Sequence, residues 1–204
     1  MKTKSNMKIL AFVDMHGSLT AMKKIEKLAP KADLIVCAGD FTIFGQNIDY
    51  FLKKFNAFNK PFLVIPGNHE DENELEKLCS KYKNVKHLHA RGYKEGEYFF
   101  LGYGSGGFSM RDKAFEKLSK QFEKEIRELG NPKTILITHA PPYNTKIDKI
   151  MDEPCGNKSI RKFMKKVQLH LVISGHLHEN AGKEDKLGKT RVINPGPYGK
   201  LITL

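Results

Sequence analysis

Long apolar runs and paired cysteines are both lacking in this chain of 204 residues. The longest apolar stretches fall far short of the roughly 18 to 20 residues of a membrane-spanning helix. Residues 1–6 are polar, without an apolar segment suited to secretion. The three cysteines form no CxxC pair and are an odd number, so no disulfide framework is indicated. We therefore expect a cytoplasmic protein that does not associate with membranes.

Linkers and low-complexity tracts are also missing. A chain of this length with 40% hydrophobic residues can bury a sizeable core. We therefore expect a single domain over residues 1–204, with residues 1–6 as a flexible N-terminal extension. The sequence gives no indication of the oligomeric state.

Positive charge is in excess, and the formal net charge is +12. Such a balance favours anionic partners, either small phosphate esters or nucleic acid. Many of the lysines, however, fall on the polar faces of predicted helices, and no nucleic-acid-binding motif accompanies them. A solvated basic surface is the simpler interpretation, and nucleic acid stays a possible partner.

Strand and helix patterns alternate in the first half of the chain. Short apolar strands are predicted at residues 8–13, 34–38 and 62–65. Each is followed by apolar residues at helical spacing; Ser18 caps the first of these helices, and the third covers about residues 72–81. Alternation of this kind is typical of a parallel sheet.

The second half is less regular. Strands are predicted at residues 85–89, 98–103, 134–138 and 169–174, with shorter ones at 183–186, 191–193 and 201–203. Helices are predicted at 114–129 and 158–167, and residues 143–156 read as loop.

Residues 102–107 satisfy the pattern GxGxxG. A dinucleotide site would require a helix opening at once and an acidic residue that closes the next strand, and neither condition is met. The pattern favours a glycine-rich surface loop that closes over a neighbouring site.

Polar, chemically capable side chains follow five of the predicted strands. Since the carboxyl ends of parallel strands lie along one edge of a sheet, these side chains can share a pocket although they are distant in sequence. Imidazole and carboxylate groups without a thiolate suit Mn, Fe, Zn or Ni. The residues are Asp14, His16, Asp40, Asn68, His69, His139, His176 and His178.

Each of these residues, taken alone, has an ordinary explanation as a helix cap, a turn former or a satisfied histidine. Their common position at strand ends is hard to explain by independent capping. For the three other histidines, His87, His89 and His170, which lie within or beside strands, the ordinary explanation stands.

Five spaced blocks in this chain resemble the calcineurin-like metallophosphoesterases. The blocks are D-x-H, G-D, G-N-H-[D/E], a lone H and G-H-x-H, and they occur here in that order from Asp14 to His178. The resemblance is closest to small phosphodiesterase-like members. It implies a four-layer α/β/β/α sandwich, which also explains the less regular strands of the second half.

The resemblance also implies roles for the site residues and two divalent metal ions, with Mn the first choice and Fe, Zn, Ni, Co or Mg as alternatives. One metal is held by Asp14, His16 and His178, the other by Asn68, His139 and His176, and Asp40 bridges both. The nucleophile is a hydroxide that bridges the two metals. His69 is then a catalytic residue near the leaving-group oxygen rather than a ligand.

Two positions depart from the family pattern. The G-D block continues as Phe41-Thr42 rather than Leu-x-Asp, and Glu70 stands where Asp is more frequent. We expect these changes to alter the surroundings of Asp40 without removing a ligand. In the loops, Tyr143, Asp148, Ser105 and Phe108 are candidates for substrate contacts.

The sequence therefore leaves three possible functions. The first is hydrolysis of phosphate esters, diesters more than monoesters. The second is a non-catalytic protein-binding scaffold, because the resembled fold includes a retromer subunit used mainly for protein interaction. The third is a nuclease, which rests on the basic charge alone.

Overall fold

The structure is a computed structural model that describes residues 6–104 and 107–204. Within these ranges the α-helices are α1 (Leu19–Leu28), α2 (Ile48–Asn56), α3 (Glu72–Cys79), α4 (Lys113–Glu128) and α5 (Lys158–Lys166), and two short 3-10 helices lie at Ala29–Lys31 and His178–Asn180. The strands are β1 (Lys8–Phe12), β2 (Leu34–Cys37), β3 (Phe62–Val64), β4 (Val85–His87), β5 (Arg91–Glu95), β6 (Tyr98–Tyr103), β7 (Lys133–Thr138), β8 (Lys149–Ile150), β9 (Glu153–Pro154), β10 (Leu171–Ile173), β11 (Glu184–Leu187), β12 (Thr190–Ile193) and β13 (Lys200–Thr203).

Two sheets carry the fold. The first has the order β13-β1-β2-β3-β4, and the second has the order β11-β12-β10-β7-β6-β5. Strands β1 to β4 are mutually parallel, as the alternating sequence pattern predicts, while β13 joins β1 antiparallel. In the second sheet β12, β10, β7 and β6 are parallel, and antiparallel β11 and β5 form its edges.

Side-chain alternation along the strands builds four layers. Leu10 and Phe12 of β1 pack with helices α1 to α3, whereas Ile9 and Ala11 of the same strand face the second sheet. The far side of the second sheet packs against α4 and α5 through residues such as Phe163. Since successive strand residues point to opposite faces, each sheet buries both of its faces. The result is the α/β/β/α sandwich expected from the sequence.

The core between the sheets is continuous. It includes β1, β2 and β3 from one sheet and β6, β7 and β10 from the other. This shared core supports the single domain proposed for residues 1–204; of its proposed flexible extension, residues 1–5 lie outside the described residues. No helix in the described ranges is both long and apolar enough to cross a membrane.

The structure differs from the sequence-based assignment in two places. Strand β5 was not predicted, because its polar, partly exposed residues Arg91–Glu95 lack an apolar pattern and pair only with β6. The prediction of loop for residues 143–156 was wrong in part, since Lys149–Ile150 and Glu153–Pro154 form a small antiparallel hairpin.

Candidate metal centre

Backbone hydrogen bonds fix the loops that follow β1 and β2 against each other. The amide N–H of Asp14 donates to the carbonyl of Gly39 at 3.1 Å, and the N–H of His16 donates to the carbonyl of Asp40 at 2.9 Å. Both strands are parallel neighbours, so their C-terminal loops emerge side by side. This arrangement brings the D-x-H and G-D blocks together.

Left-handed backbone recurs among the residues of the candidate centre. Asp14, His16, Asp40 and His176 have φ angles of 54°, 45°, 50° and 69°. For a non-glycine residue this conformation costs about 1 kcal/mol or more. Its repetition at one edge of the molecule indicates that the surrounding structure imposes these side-chain directions.

A first set of donor atoms comes from the loop after β1 and from His178. The Nε2 atoms of His16 and His178 lie 3.0 Å apart. The Nε2 of His178 lies 3.9 Å from Oδ1 of Asp14, and the Nε2 of His16 lies 3.9 Å from Oδ2 of Asp40. Ligand atoms of Asp14, His16 and His178 therefore converge within 4.8 Å of one another.

A second set surrounds the amide oxygen of Asn68. That Oδ1 atom lies 3.1 Å from Nε2 of His139 and 3.1 Å from Nδ1 of His176. The Nε2 of His139 is also 3.3 Å from Oδ2 of Asp40. The same carboxylate oxygen of Asp40 thus faces both sets of donors.

The hydrogen bonds around Asp40 and Asn68 explain why glycine precedes Asn68. The other carboxylate oxygen of Asp40, Oδ1, accepts a hydrogen bond from the N–H of His69 at 2.9 Å. A Cβ atom on Gly67 would lie only 2.0 Å from that oxygen. The G-N-H block can therefore approach Asp40 only with glycine at this position.

The donor set fits divalent transition metals. The Nδ1–H of His139 donates to the carbonyl of Ala38 at 2.9 Å, which leaves the Nε2 lone pair of the neutral ring directed at Asp40 and Asn68. A backbone acceptor on the outer nitrogen is the usual support for a histidine that binds metal through its inner nitrogen. Imidazole nitrogens together with carboxylate and amide oxygens are ligands for Mn, Fe, Zn or Ni.

Burial and mutual charges shift the pKa values of these groups. Burial raises the pKa of Asp14 to about 6 despite the opposing charges of His139 and His178. Burial lowers the pKa of His176 to about 4, and the charge of His139 acts in the same direction.

The pKa values of Asp40 and His139 each shift in the direction opposite to the one that burial alone would cause. The hydrogen bond and charge of His139 overcome the burial of Asp40 and lower the pKa of that carboxyl to about 2. In the same pair, Asp40 overcomes the burial of His139 and raises the pKa of its imidazole. Each member of the pair therefore favours the charged form of the other, so a metal bound through Nε2 of His139 displaces a proton from that ring.

Glu70 organises the loops behind Asp40. Its carboxylate accepts hydrogen bonds from the N–H groups of Asp40, Thr42 and Gly67, each at 2.9 Å, and from the Thr42 hydroxyl at 2.7 Å. Thr42, which belongs to the departing Phe41-Thr42 continuation, therefore contacts Glu70, the second departure. Together they hold the backbone on both sides of Asp40, and neither faces the donor atoms.

His69 lies beside the first donor set. Its ring centroid is 4.8 Å from that of His16, and its Nδ1 accepts a hydrogen bond from the N–H of Phe44 at 3.3 Å. In the neutral ring the proton then resides on Nε2. A nitrogen of His69 also lies within 4.8 Å of ligand atoms of His16 and Asp40, so distance alone permits a ligand role as well.

Comparison with known proteins shows which family the chain belongs to. A family model described as calcineurin-like phosphoesterase matches residues 7–180. The chain belongs to this family of phosphoesterases. The resemblance inferred from the five blocks is therefore confirmed.

Relatives of this phosphoesterase include proteins with named activities. An uncharacterised protein of Methanocaldococcus jannaschii is 32% identical, covering 96% of this chain and 91% of its own. A probable glycerophosphodiester phosphodiesterase of Arcobacter nitrofigilis is 27% identical over 81% of this chain and 64% of its own. A 3',5'-cyclic-nucleotide phosphodiesterase of Nostoc is 26% identical over 79% and 61%. The chain thus spans less than two thirds of the length of either named diesterase.

Solved structures show the same fold. A protein of Thermus thermophilus superposes with a TM-score of 0.75 at 19% identity, covering 98% of this chain and 99% of that chain. The chain therefore shares its fold with this solved structure.

Two of the loop candidates make contacts within their own part of the chain, and a third lies beyond the described residues. Asp148 is fully buried and accepts hydrogen bonds from the N–H groups of Asn144, Thr145 and Gly156, so it holds its own loop together. Tyr143 carries the ammonium of Lys158 over its ring, 4.8 Å from the centroid. Ser105 lies outside the described residues.

Two aromatic residues do lie against the centre. Phe108, a loop candidate, has its ring centroid 4.6 Å from that of His176. Phe44, which the sequence analysis missed, has its ring 4.5 Å from that of His69. A lone phenylalanine in a loop carries no pattern that distinguishes it from a core residue, so one sequence gives no signal for Phe44.

The three remaining histidines stay apart from the centre. His89 accepts a hydrogen bond from the N–H of Gly104 at 2.9 Å, which anchors the start of the glycine-rich loop. His87 is buried at the end of β4, and the ring of His170 packs at 6.3 Å from that of Tyr98. None of the three belongs to a metal-capable cluster among the described residues.

Proposed function

We propose that this phosphoesterase is a binuclear metal-dependent phosphodiesterase. The observation that carries the proposal is the shared carboxylate: Oδ2 of Asp40 lies 3.9 Å from Nε2 of His16 and 3.3 Å from Nε2 of His139. One oxygen that faces two separate donor sets is the arrangement required to hold two cations side by side.

Each cation has its own ligands in this proposal. Asp14, His16 and His178 hold one, Asn68, His139 and His176 hold the other, and Asp40 contacts both. When bound, the two cations supply Lewis acidity toward the phosphate oxygens and toward the attacking water. Mn is the first choice because it accepts both imidazole and oxygen ligands, with Fe, Zn, Ni, Co and Mg as alternatives.

The chain itself contributes orientation and a proton. The N–H of Phe44 donates to Nδ1 of the neutral His69 ring and so orients it. A proton taken up at Nδ1 releases that contact and makes the ring an imidazolium, which can give its Nε2 proton to an ester oxygen as it leaves. The N–H of His69 in turn fixes Oδ1 of Asp40, which leaves Oδ2 as the oxygen directed at the donor sets. His69 is therefore proposed as the general acid, with its position set by the loops after β2 and β3.

One observation supports a diester as substrate, and a second supports an anionic ester in general. Relatives that cover most of this chain are named as phosphodiesterases, one for glycerophosphodiesters and one for cyclic nucleotides. The net charge of +12 favours approach of a small anionic ester.

The decisive experiment is hydrolysis of bis(p-nitrophenyl) phosphate by protein reconstituted with Mn, and separately with Fe, Zn, Ni, Co and Mg. We expect turnover with at least one metal, a lower kcat/KM for p-nitrophenyl phosphate, and two metal ions per chain by elemental analysis. Asp40→Ala is the control and is expected to lose both metal and turnover. Stoichiometric metal with no turnover of either ester under any of the metals would rule out the phosphodiesterase.

The same preparation tests the other functions considered from the sequence. Short single-stranded DNA and RNA in the substrate panel test a nuclease, whose binding falls as salt rises. A protein that binds a partner equally well with and without metal, and turns over no ester, would instead be a binding scaffold.

A further inference from the structure

Two phenylalanine rings are exposed at the metal centre. Of the 13 phenylalanines in the chain, Phe44 and Phe108 are the two that the described structure leaves exposed, at 76% and 69%. Both contact a histidine of the centre rather than the apolar core. Exposed apolar side chains gathered at a polar site are informative, because apolar rings are otherwise buried in the fold.

Phe44 has one face covered and one face open. Its ring is tilted 34° to the imidazole of His69, with the centroids 4.5 Å apart. Since most of its surface stays accessible to solvent, a second flat group can pack against the uncovered face.

The local backbone keeps Phe44 in this position. Its φ angle is 49°, in the left-handed region that a bulky residue rarely adopts. The N–H of Phe44 donates to His69, and the N–H of Gly45 donates to the Thr42 hydroxyl at 3.2 Å. Thr42 is itself held by Glu70. Hydrogen bonds therefore hold this strained loop in place, and the loop keeps the Phe44 ring exposed. An exposed ring contributes nothing to the apolar core.

Phe108 occupies the other half of the centre. Its ring centroid lies 4.6 Å from that of His176, whose Nδ1 belongs to the second donor set. The two rings thus contact histidines in different parts of the centre: Phe44 contacts His69, whose ring lies 4.8 Å from that of His16, and Phe108 contacts His176.

We propose that Phe44 and Phe108 form a stacking subsite for the planar base of a nucleoside phosphate ester. The base of the ester arm beside His69 packs on the open face of Phe44, and Phe108 bounds the opposite side. A nucleobase has a flat π-face suited to this contact, whereas a glycerol arm has none. The proposal rests on the proposed phosphodiesterase and selects the nucleotide class of diester over the glycerol class.

The test compares ligands that differ only in the base. Adenosine 5'-monophosphate and ribose 5-phosphate share the phosphate and the sugar, and both are measured by calorimetry on the Mn-loaded protein. We expect adenosine 5'-monophosphate to bind about 5- to 150-fold more tightly, the range typical of one base stacked on an aromatic side chain. Equal affinities would overturn the proposal, and so would failure to bind either ligand.

Substitution assigns the preference to the rings. Phe44→Leu keeps an apolar side chain and the N–H that contacts His69, and is expected to remove most of the base preference while ribose 5-phosphate binds as before. Phe108→Leu is expected to reduce the preference less. Tyr50→Leu, at an exposed aromatic residue on α2, is the matched control and should keep it. A base preference that survives in the Phe44→Leu, Phe108→Leu double variant would contradict the subsite.

Octyl phosphate separates stacking from general apolar contact. The affinity of octyl phosphate is compared with that of ribose 5-phosphate. If it is higher by as large a factor as the affinity of adenosine 5'-monophosphate, the rings contact any apolar group and the nucleotide assignment is wrong. Because all these measurements are of binding, they do not depend on turnover. A base preference in a protein that hydrolyses no ester would leave this inference standing and refute the proposed function instead.

Discussion

Glu70 shows how a buried carboxylate can shape a site without facing it. The carboxylate accepts from the backbone of the loop after β2 at Asp40 and Thr42, and from the loop after β3 at Gly67. It therefore joins two strand ends that each supply donors to the centre. Glutamate in place of the more frequent aspartate has a longer side chain, and Thr42 adds a hydroxyl donor to it.

Glu70→Gln tests this role. The amide nitrogen of glutamine cannot accept, so at least one buried N–H loses its partner, and we expect the free energy of unfolding to fall by about 1–3 kcal/mol. Urea denaturation of the metal-free protein measures the change, and titration with Mn is expected to show weaker binding. Glu74→Gln, at an exposed position on α3, is the control and should stay within about 0.5 kcal/mol of the parent. Unchanged stability and metal affinity in Glu70→Gln would contradict the role.

His69→Ala tests the proposed general acid. We expect kcat to fall by about 10²- to 10⁴-fold, because proton donation to the leaving oxygen is lost. The loss should be larger for an ester with a poorly leaving alkyl alcohol than for one with p-nitrophenol, which needs less protonation. Elemental analysis should still find two metals per chain. Loss of one metal from His69→Ala would instead make His69 a ligand.

At the residue scale, the sequence predicts which side chains meet but not how they are supported. The types and spacing of Asp14, Asp40 and His139 predict a metal site because strand ends must converge in a parallel sheet. The roles of Glu70 as acceptor and of Phe44 as an exposed ring depend on loop conformations. Such loops are set by long-range hydrogen bonds, which no local pattern encodes.

Strand β4 ends in a buried histidine. His87 is 8% exposed, and neither of its ring nitrogens has a hydrogen-bond partner within residues 6–104 and 107–204. Burial lowers its pKa from 6.5 to about 4, and nearby His89 and Arg91 act in the same direction while Glu76 opposes them. The fold therefore holds this ring in its neutral form.

Stability is expected to depend on pH through His87. Below pH 6.5 the unfolded chain binds a proton on this ring and the folded chain does not, so the free energy of unfolding falls as the pH drops from about 6.5 to about 4. The contribution is at most about 3 kcal/mol.

The variant His87→Leu tests this dependence. Its unfolding free energy should fall less between pH 7.5 and pH 4 than that of the parent, measured by denaturant titration at each pH. Lys86→Gln, at the neighbouring exposed position, should follow the parent. Parallel curves for His87→Leu and the parent would contradict the prediction.

At the element scale, the buried strands were predictable and the exposed ones were not. Runs such as Leu34–Cys37 are apolar throughout because both faces of a parallel sheet are covered. Strand β5 and the β8–β9 hairpin are short, polar or at an edge, and they form only because a neighbouring strand offers partners. Tertiary pairing rather than local preference determines such elements.

For the whole molecule, the centre lies where the two sheets meet. Asp14, Asp40 and Asn68 follow strands of the first sheet, whereas His139, His176 and His178 follow strands of the second. Each proposed cation would therefore have ligands from both sheets. Bound metal is expected to cross-link the two halves of the sandwich at this edge.

Metal removal tests the cross-link. Treatment with EDTA is expected to lower Tm, and added Mn to restore it, by an amount that grows with metal concentration. At a free concentration 1,000 times Kd, each site stabilises the fold by about 4 kcal/mol. Hydrogen exchange should show the largest change at the C-terminal ends of β1, β2, β7 and β10. Asp40→Ala should show little response to Mn, and a parent Tm independent of Mn would contradict the cross-link.

At this scale the prediction from sequence was most complete. Hydrophobic periodicity indicates strands and helices in alternation, and the five blocks identify the family and its four layers. The order of strands within each sheet was not predicted, because it depends on pairings between distant segments such as β1 with β13.

The left-handed backbone at Asp14, His16, Asp40 and His176 has a consequence for selection. Glycine at any of these positions would relieve the conformational cost and also remove a donor atom. A variant library of this chain sorted for thermal stability without metal should accumulate glycine there. The same library sorted for metal binding should not. Positions at which the two selections disagree would mark the centre without any substrate being known.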